Sequence, residues 1–453
     1  MTYFFEYSTA YVKILLIICL VIYIFYFTNK WTKTKLIFTP FNFQIIFFCV
    51  VIFLVSPFQY NYILSNTWSM FSTRDFIVRL NEAYTVNLLG FGVMGMYMLV
   101  REKKCFNSKG FCKMISFPYI NINTRYAEMF SIGIALVYTV YIINKAHGIP
   151  ILNEKRFSVD TGAFVYYLLN AMTYGMAWYI LGLFYQKKKL NGFDIFTLLL
   201  IIFSLFITGN RTPVLRILYA FFILILCKKR INYRTVFRQM KYVLLILAVG
   251  IFLIIMRNDS KVISIGSIFS EYIIYGSTFC DIRDGARVLW GYHNKYTSLL
   301  FGKIYLASIL SFVPQSFNEV PILSSIAKFR QVYSGGTWST YTLFGIKNHY
   351  GLRGGMFLSA YTNFGVLGII IIAIILGYWF SNCDILFTRL VTHKLNLDMS
   401  KIMFSYIFIN ILFELLYAPG GFNSFWGYLI DFILLMCLSG ANLKVKFGGI
   451  PTR

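Results

Sequence analysis

The sequence predicts an all-α polytopic integral membrane protein, on three observations. Of 453 residues, 58% are hydrophobic and only 13% charged, with mean hydropathy +0.66. A soluble domain carries roughly 25% charged residues. Apolar runs of about 20 residues, the length that crosses hydrocarbon as a helix, recur along the chain. The period-two alternation of a membrane barrel is absent, and hydrocarbon satisfies no free backbone group, so the spans are expected to be helices. No small-residue cleavage site follows the first apolar run, so no cleaved leader is expected.

Eleven spans are expected, near 10–27, 39–56, 83–100, 126–144, 163–186, 193–208, 213–227, 242–256, 361–380, 402–418 and 424–440. The connecting segments alternate in charge. One set holds Lys30, Lys33 and Lys35, then 101–125, 187–189, 228–241, 381–401 and 441–453, with 24 of the 42 Lys and Arg. The short-loop lysine and arginine bias places this set in the cytoplasm, with the N-terminus outside and the C-terminus inside. The expected organisation is then eight spans in 1–256, a large outer loop over 257–360, and three spans with a cytoplasmic tail in 361–453.

The outer set is unusual in staying basic, with 16 Lys and Arg against nine Asp and Glu. A basic outer face fits an anionic ligand, although lysine-rich composition by itself also raises charge everywhere. Cysteine usage predicts no internal disulfide, because Cys280 alone falls outside. No His/Cys cluster has metal-ligand spacing. No phosphate-cradling loop or nucleophile elbow appears, and the cytoplasmic loops are too short for a nucleotide-binding domain. An enzyme built this way uses a substrate activated before it arrives.

The outer loop 257–360 has helix-like patterning at 267–279 and 296–313, broken by "VPQS" and "EVP". Its aromatic content predicts a folded cap of short helices on the membrane surface rather than a disordered linker.

The stretch "TGNRTPVLR" (208–216) carries the strongest chemical signal. Gly209 and Asn210 supply a turn, and Thr212 with Pro213 reads as the N-cap and first residue of a helix. Arg211 therefore stands where the helix aims its free N–H groups, with Arg216 one turn further in. Guanidinium forks bind phosphate oxygens in pairs, so this is a candidate site for a lipid diphosphate. The plainer reading has Arg211 snorkelling to headgroups and Arg216 paired with a neighbouring acid. Arg156, Arg257 and Arg330 are further outer guanidinium groups. The segment 329–365 joins Arg330, His349 and Arg353 to Tyr333, Trp338, Tyr341, Tyr350 and Tyr361, a composition suited to stacking on sugar rings. His349 is a candidate base near neutral pH, with Asp281, Asp284 and Glu271 as alternatives, and a hydrogen-bonding role is the plainer one.

"TGNRTPVL", "GIPIL" and "NHYGLRGG…SAYTNFGVLG", in this order and sidedness, resemble the Wzy-type O-antigen polymerases, the oligosaccharide repeat unit polymerases of bacterial surface glycans. The resemblance implies a GT-C-like, metal-independent glycosyltransferase without cofactor at the outer face of the inner membrane. Donor and acceptor would both be oligosaccharides on undecaprenyl diphosphate, with a chain-length regulator as a protein partner. It also implies catalytic roles for Arg211, His349 and Arg353, while the residues themselves, rather than the resemblance, suggest substrate contacts for Arg156, Arg216, Arg257, Arg330, Tyr350 and Tyr361. The nearest alternative is the related O-antigen ligase. A lipid-linked oligosaccharide flippase would carry its charges along a central path rather than at one face.

The charge pattern yields a direct test. With Asn294→Cys and Asn232→Cys in intact spheroplasts, an impermeant thiol reagent is expected to label the first and spare the second. Labelling of the second would reverse the topology.

Overall fold

The computed structural model describes residues 2–34, 45–46, 48–63, 72–105, 124–149, 173, 191–207, 281–310, 313, 319–334, 337–346, 352 and 355–392. Among the described residues the secondary structure is helical, without strands. The helices are α1 (Thr2–Tyr7), α2 (Ala10–Thr34), α3 (Thr73–Cys105), α4 (Thr124–Ala146), α5 (Gly192–Phe206), α6 (Asp281–Lys295), α7 (Lys303–Ile309), α8 (Ser324–Tyr333) and α9 (Gly355–Thr392). Four are long and apolar enough to cross a membrane: Ala10–Thr32, Thr73–Arg101, Glu128–Ala146 and Gly355–Ser381. They coincide with the expected spans near 10–27, 83–100, 126–144 and 361–380. Of the expected spans near 39–56 and 193–208, the described parts form shorter apolar helices, Val50–Asn61 and Gly192–Phe206. The spans expected near 163–186, 213–227, 242–256, 402–418 and 424–440 lie outside the described residues, Thr173 apart.

The chain divides into two compact units. The first comprises Met1–Ser108, Ile263–Ile385 and Ile411–Asn423. Its frame is built from α2, α3 and the two arms of α9. Contacts between α2 and α3 advance together along both chains: Thr9 N donates to Asn81 Oδ1 at 3.0 Å, Cys19 Sγ to the Leu88 carbonyl at 3.1 Å, and Tyr23 Oη to the Phe91 carbonyl at 3.1 Å. Helix α9 folds back at Gly365, where a Cβ on Gly368 would stand 2.5 Å from the Ala360 carbonyl. Its first arm runs against α3, from Phe357 beside Gly90 to Tyr361 beside Glu82, and its second runs with α3, ending with Tyr378 beneath the Arg101 guanidinium at 4.1 Å.

Small residues set the spacing. A Cβ on Gly90 would stand 2.3 Å from the Phe357 ring, and one on Gly377 would meet Tyr97 at 3.0 Å and the Met94 carbonyl at 3.1 Å. Apolar helices gain nothing from the hydrophobic effect within lipid, so close backbone approach of this kind supplies their packing.

Helix α3 begins some ten residues before the apolar span expected at 83–100. Ser72 starts it, its Oγ accepting from Asp75 N at 3.1 Å and donating to the Asp75 carboxylate at 2.8 Å. Arg74, Asp75, Arg79 and Glu82 interrupt the apolar run there, yet Phe76, Leu80, Ala83 and Tyr84 keep a buried helical face. At 33 residues α3 is about 50 Å long against about 30 Å of hydrocarbon, so a polar end projects from the membrane.

At the other end of the frame, Lys30 Nζ donates to the Asp384 carboxylate, with the two side chains 1% and 5% exposed. The sequence places both in cytoplasmic connections; the structure places Lys30 in the last turns of α2 and Asp384 in α9, paired and buried.

The cap helices α6, α7 and α8 pack at the end where α2 and α3 begin and α9 bends. Gln59 Oε1, in the short 3-10 helix Ser56–Ile63, accepts from Arg283 N at 2.9 Å and so seats the start of α6. Arg283 and Arg287 both face Asp284, at 3.1 Å and 3.6 Å. The patterning expected at 296–313 resolves into a turn followed by the shorter α7, while the segment 267–279 lies outside the described residues.

In the second unit, comprising Lys109–Val262, Leu386–Asn410 and Ser424–Arg453, α4 packs on α5. Asn191 N donates to Asp194 Oδ2 at 2.8 Å, satisfying one free donor at the start of α5. The buried Thr197 and Ser204 return their hydroxyls to their own helix, at the carbonyls of Phe193 and Ile201.

The buried ion pair generates a charge-removal prediction. Removing one partner of a buried pair costs about 3–5 kcal/mol, because the other is left charged without compensation. Lys30→Met and Asp384→Leu are each expected to lower the thermal stability of the detergent-purified protein. Joining them in one chain is expected to recover most of the loss. Additive losses in the double variant would show that the two side chains are not coupled.

Candidate functional site

Where the cap meets the frame, Glu82 collects three side chains from three elements. Its Oε1 accepts from Tyr361 Oη at 3.2 Å, and His293 Nε2 lies 2.9 Å from the same oxygen. Its Oε2 accepts from Arg79 Nη1 at 2.5 Å. Arg79 and Glu82 stand on adjacent turns of the polar end of α3. His293 comes from the last turn of α6 and Tyr361 from the second turn of α9. The Arg79, Glu82 and His293 side chains are 28%, 21% and 32% exposed, so the cluster is held in place yet open at its surface.

Each arm is braced. Lys295 Nζ donates to the Thr342 carbonyl, and Trp290 stacks on Phe344 with ring centroids 6.2 Å apart. Tyr292 stacks on Tyr296 at 5.9 Å and donates its hydroxyl to the Ser298 carbonyl at 3.1 Å. Burial pushes the Tyr292 hydroxyl above the ordinary tyrosine range, keeping it a neutral donor. Tyr296 is raised too, first by burial and then by Tyr333. Helix α9 is broken at Gly365, whose φ of 65° and ψ of −153° end the first arm just past Tyr361. The opened turn is closed from the cap: Leu300 N donates to the Thr362 carbonyl at 3.1 Å and Phe301 N to the Asn363 carbonyl at 2.9 Å. These bonds lock the segment after α6 to the arm that bears Tyr361.

A carboxylate opposite Nε2 fixes the imidazole tautomer: Nε2 carries the proton, and Nδ1 is the acceptor nitrogen of the neutral ring. A proton taken at Nδ1 yields an imidazolium already paired with Glu82. Arg79 holds the second carboxylate oxygen, so Glu82 stays oriented through the transfer. This is the arrangement of an oriented general base.

The sequence-based candidates fall in two groups. Arg211, His349, Arg353, Arg156, Arg216, Arg257 and Tyr350 lie outside the described residues. So does Glu271, whereas Asp284 is described and faces two guanidinium groups. Tyr361 stands in the Glu82 cluster. Arg330 is 9% exposed and donates to the Val313 carbonyl, bracing α8 within the cap. From the aromatic segment, Trp338 is buried in the cap, and Ser339 Oγ beside it accepts from Leu352 N at 3.0 Å.

Glu82, Arg79 and His293 escaped sequence reasoning, because 211 positions separate the carboxylate from the imidazole. The available signal was a carboxylate one helical turn from an arginine, at the mouth of an apolar helix. No family model, curated protein or solved structure matches this chain.

The cluster predicts a separable effect at its hub. Glu82→Gln keeps the shape but replaces the acceptor-only carboxylate by an amide that pairs poorly with both Arg79 and an imidazolium. The variant is expected to fold with near-normal thermal stability while the ring-nitrogen NMR signals of the neutral His293 lose their Nε2-protonated pattern, since an amide can donate to that nitrogen as well as accept from it. Unchanged ring-nitrogen signals would uncouple the two side chains.

Proposed function

We propose that this chain is a membrane glycosyltransferase of the O-antigen polymerase kind, joining oligosaccharide repeat units carried on undecaprenyl diphosphate. One observation carries the reading: an oriented His293–Glu82 pair stands where the cap meets the projecting end of α3 and the bend of α9. A lipid-linked sugar presents its hydroxyls at that level, just beyond the hydrocarbon. The charge bias of the loops assigns this end to the outside, and the order of the quoted motifs supports the same family.

In this reading the acceptor hydroxyl attacks the anomeric carbon of the donor glycan as its proton passes to His293 Nδ1. The bond from that carbon to the diphosphate oxygen breaks, and the lipid diphosphate leaves with the electron pair. Guanidinium groups take up the developing charge, a role that the quoted motifs assign, by sequence alone, to Arg211, Arg216 and Arg353. Tyr361 and Arg79 hold Glu82 in place. Arg156, Arg257 and Tyr350 contact the glycan, and a chain-length regulator limits the polymer. The base role read for His349 from the sequence goes in this proposal to His293, and His349 is proposed as a contact to the acceptor sugar.

The deciding experiment compares surface glycan in a deletion strain complemented with variants. Without the protein, the lipid core should bear a single repeat unit. A bare core with accumulated lipid-linked polymer would instead mark a ligase, and repeats trapped in the inner leaflet a flippase. With purified enzyme and a lipid-linked repeat, His293→Ala is expected to slow polymerisation by about 10²–10⁴-fold, the usual contribution of a general base. Arg211→Lys should recover little over Arg211→Ala, because lysine lacks the planar fork. Near-normal turnover by His293→Gln would remove the imidazole from the chemistry.

A further inference from the structure

We propose that the turn and helix from Leu299 to Ile309 form a re-entrant element of the cap, its outer edge immersed in lipid hydrocarbon beside α9. The proposal stands independently of the enzymatic activity. It begins with composition: from Tyr296 to Asn318 the chain carries a single charge, Lys303. Within that stretch the structure turns large apolar side chains outward. Leu299 is 36% exposed, Phe301 73%, Leu306 48% and Ile309 46%.

Continuity identifies what covers this edge. Past its bend, helix α9 crosses the membrane region with an outward stripe of Leu367, Ile371 and Ile375, and Phe364 is half exposed just before the bend. The cap edge meets that apolar surface at the bend. The Phe364 ring stacks on Tyr305, centroids 6.0 Å apart, and packs over Gly302, where a Cβ would approach it to 2.9 Å. Leu299 reaches the bend at Gly365, its Cδ1 lying 3.8 Å from where a Cβ would be. A stripe that faces acyl chains on α9 therefore faces the same solvent on α7.

Two further features fit hydrocarbon and are wasteful in water. Phe301 adopts φ 49°, a left-handed conformation that bulky residues avoid, and it leaves this ring among the most exposed aromatic side chains. The backbone is also prepared for a medium without hydrogen-bond partners. The N–H groups of Leu300 and Phe301 donate to Thr362 and Asn363, and Ile304 N lies 3.4 Å from Asn363 Oδ1. Irregular backbone at membrane depth requires such internal satisfaction. Lys303 turns away, its Nζ 5.3 Å over the Tyr333 ring of α8, as a snorkelling lysine does at an interface.

The experiment uses the full chain in lipid nanodiscs, with tryptophan placed at Phe301, Leu306 or Asn294. Asn294 is exposed on α6, outside the apolar edge. Emission added over the wild-type background is measured with acyl-brominated phosphatidylcholine and, separately, with aqueous iodide. Phe301→Trp and Leu306→Trp are expected to lose most of their added emission to brominated lipid and little to iodide; Asn294→Trp should show the reverse. Two positions guard against one variant that packs poorly. Iodide quenching of Phe301→Trp and Leu306→Trp, with brominated lipid inert, would overturn the proposal. Shielding from both quenchers together with a dimeric particle would overturn it in favour of a second copy on this edge.

Discussion

The first unit depends on how closely α9 approaches α3. With hydrogen at Gly90 in place of a methyl group, the Phe357 ring lies against the α3 backbone, and Gly377 brings the second arm of α9 against Met94 and Tyr97, about 6–10 Å further along α3 by helical rise. Both arms of α9 are thus held against the same stretch of α3. The first arm delivers Tyr361 to Glu82 and the second Asp384 to Lys30. Each arm answers to one polar partner, and a slip of a single residue in either would turn its side chain away by about 100°.

Above that contact the organisation is a division of labour between two kinds of cohesion. Within the frame, small residues and aromatic edges do the packing, as between Phe91 and Phe357 with ring centroids 5.2 Å apart. Between frame and cap, hydrogen bonds join the buried apolar face of α6: Gln59 to α6, Glu82 to His293, and the carbonyls of Thr362 and Asn363 to the turn before α7. The change follows the medium. Apolar surface has no reason to associate inside lipid, whereas directional bonds gain strength where water thins.

The sequence revealed most where a single physical rule applies over a long stretch. Hydrocarbon thickness and apolar length located α2, α3, α4 and α9 to within a few residues at their apolar ends. It failed where tertiary contacts override local appearance. Residues 73–82 read as loop because of their charges, but one buried face and the Ser72 cap make them helix. Lys30 read as a solvated loop charge because its partner, Asp384, is 354 positions away. "YTNFG" was visible as a motif, yet the break at Gly365 is stable only because a distant turn supplies donors to the freed carbonyls. The Glu82 cluster has the same origin: three elements, each unremarkable by itself, converge on one carboxylate. Of the residues singled out from sequence, Tyr361 joins that cluster and Arg330 braces the cap.

Helix α3 is also a ruler. Glu82 and Arg101 are nineteen residues apart on one continuous helix, hence separated by about 28 Å along its axis, close to the thickness of a bilayer's hydrocarbon. Arg101 is held at its end by Tyr97 and Tyr378, and Glu82 at the other by the cap. The height of the imidazole above the acyl chains is therefore set by the chain itself, as a fixed distance from the opposite surface. A bilayer of different thickness must stretch, thin or tilt to meet the two marks, so the lipid composition of the host membrane becomes a variable in how high His293 stands above the acyl chains.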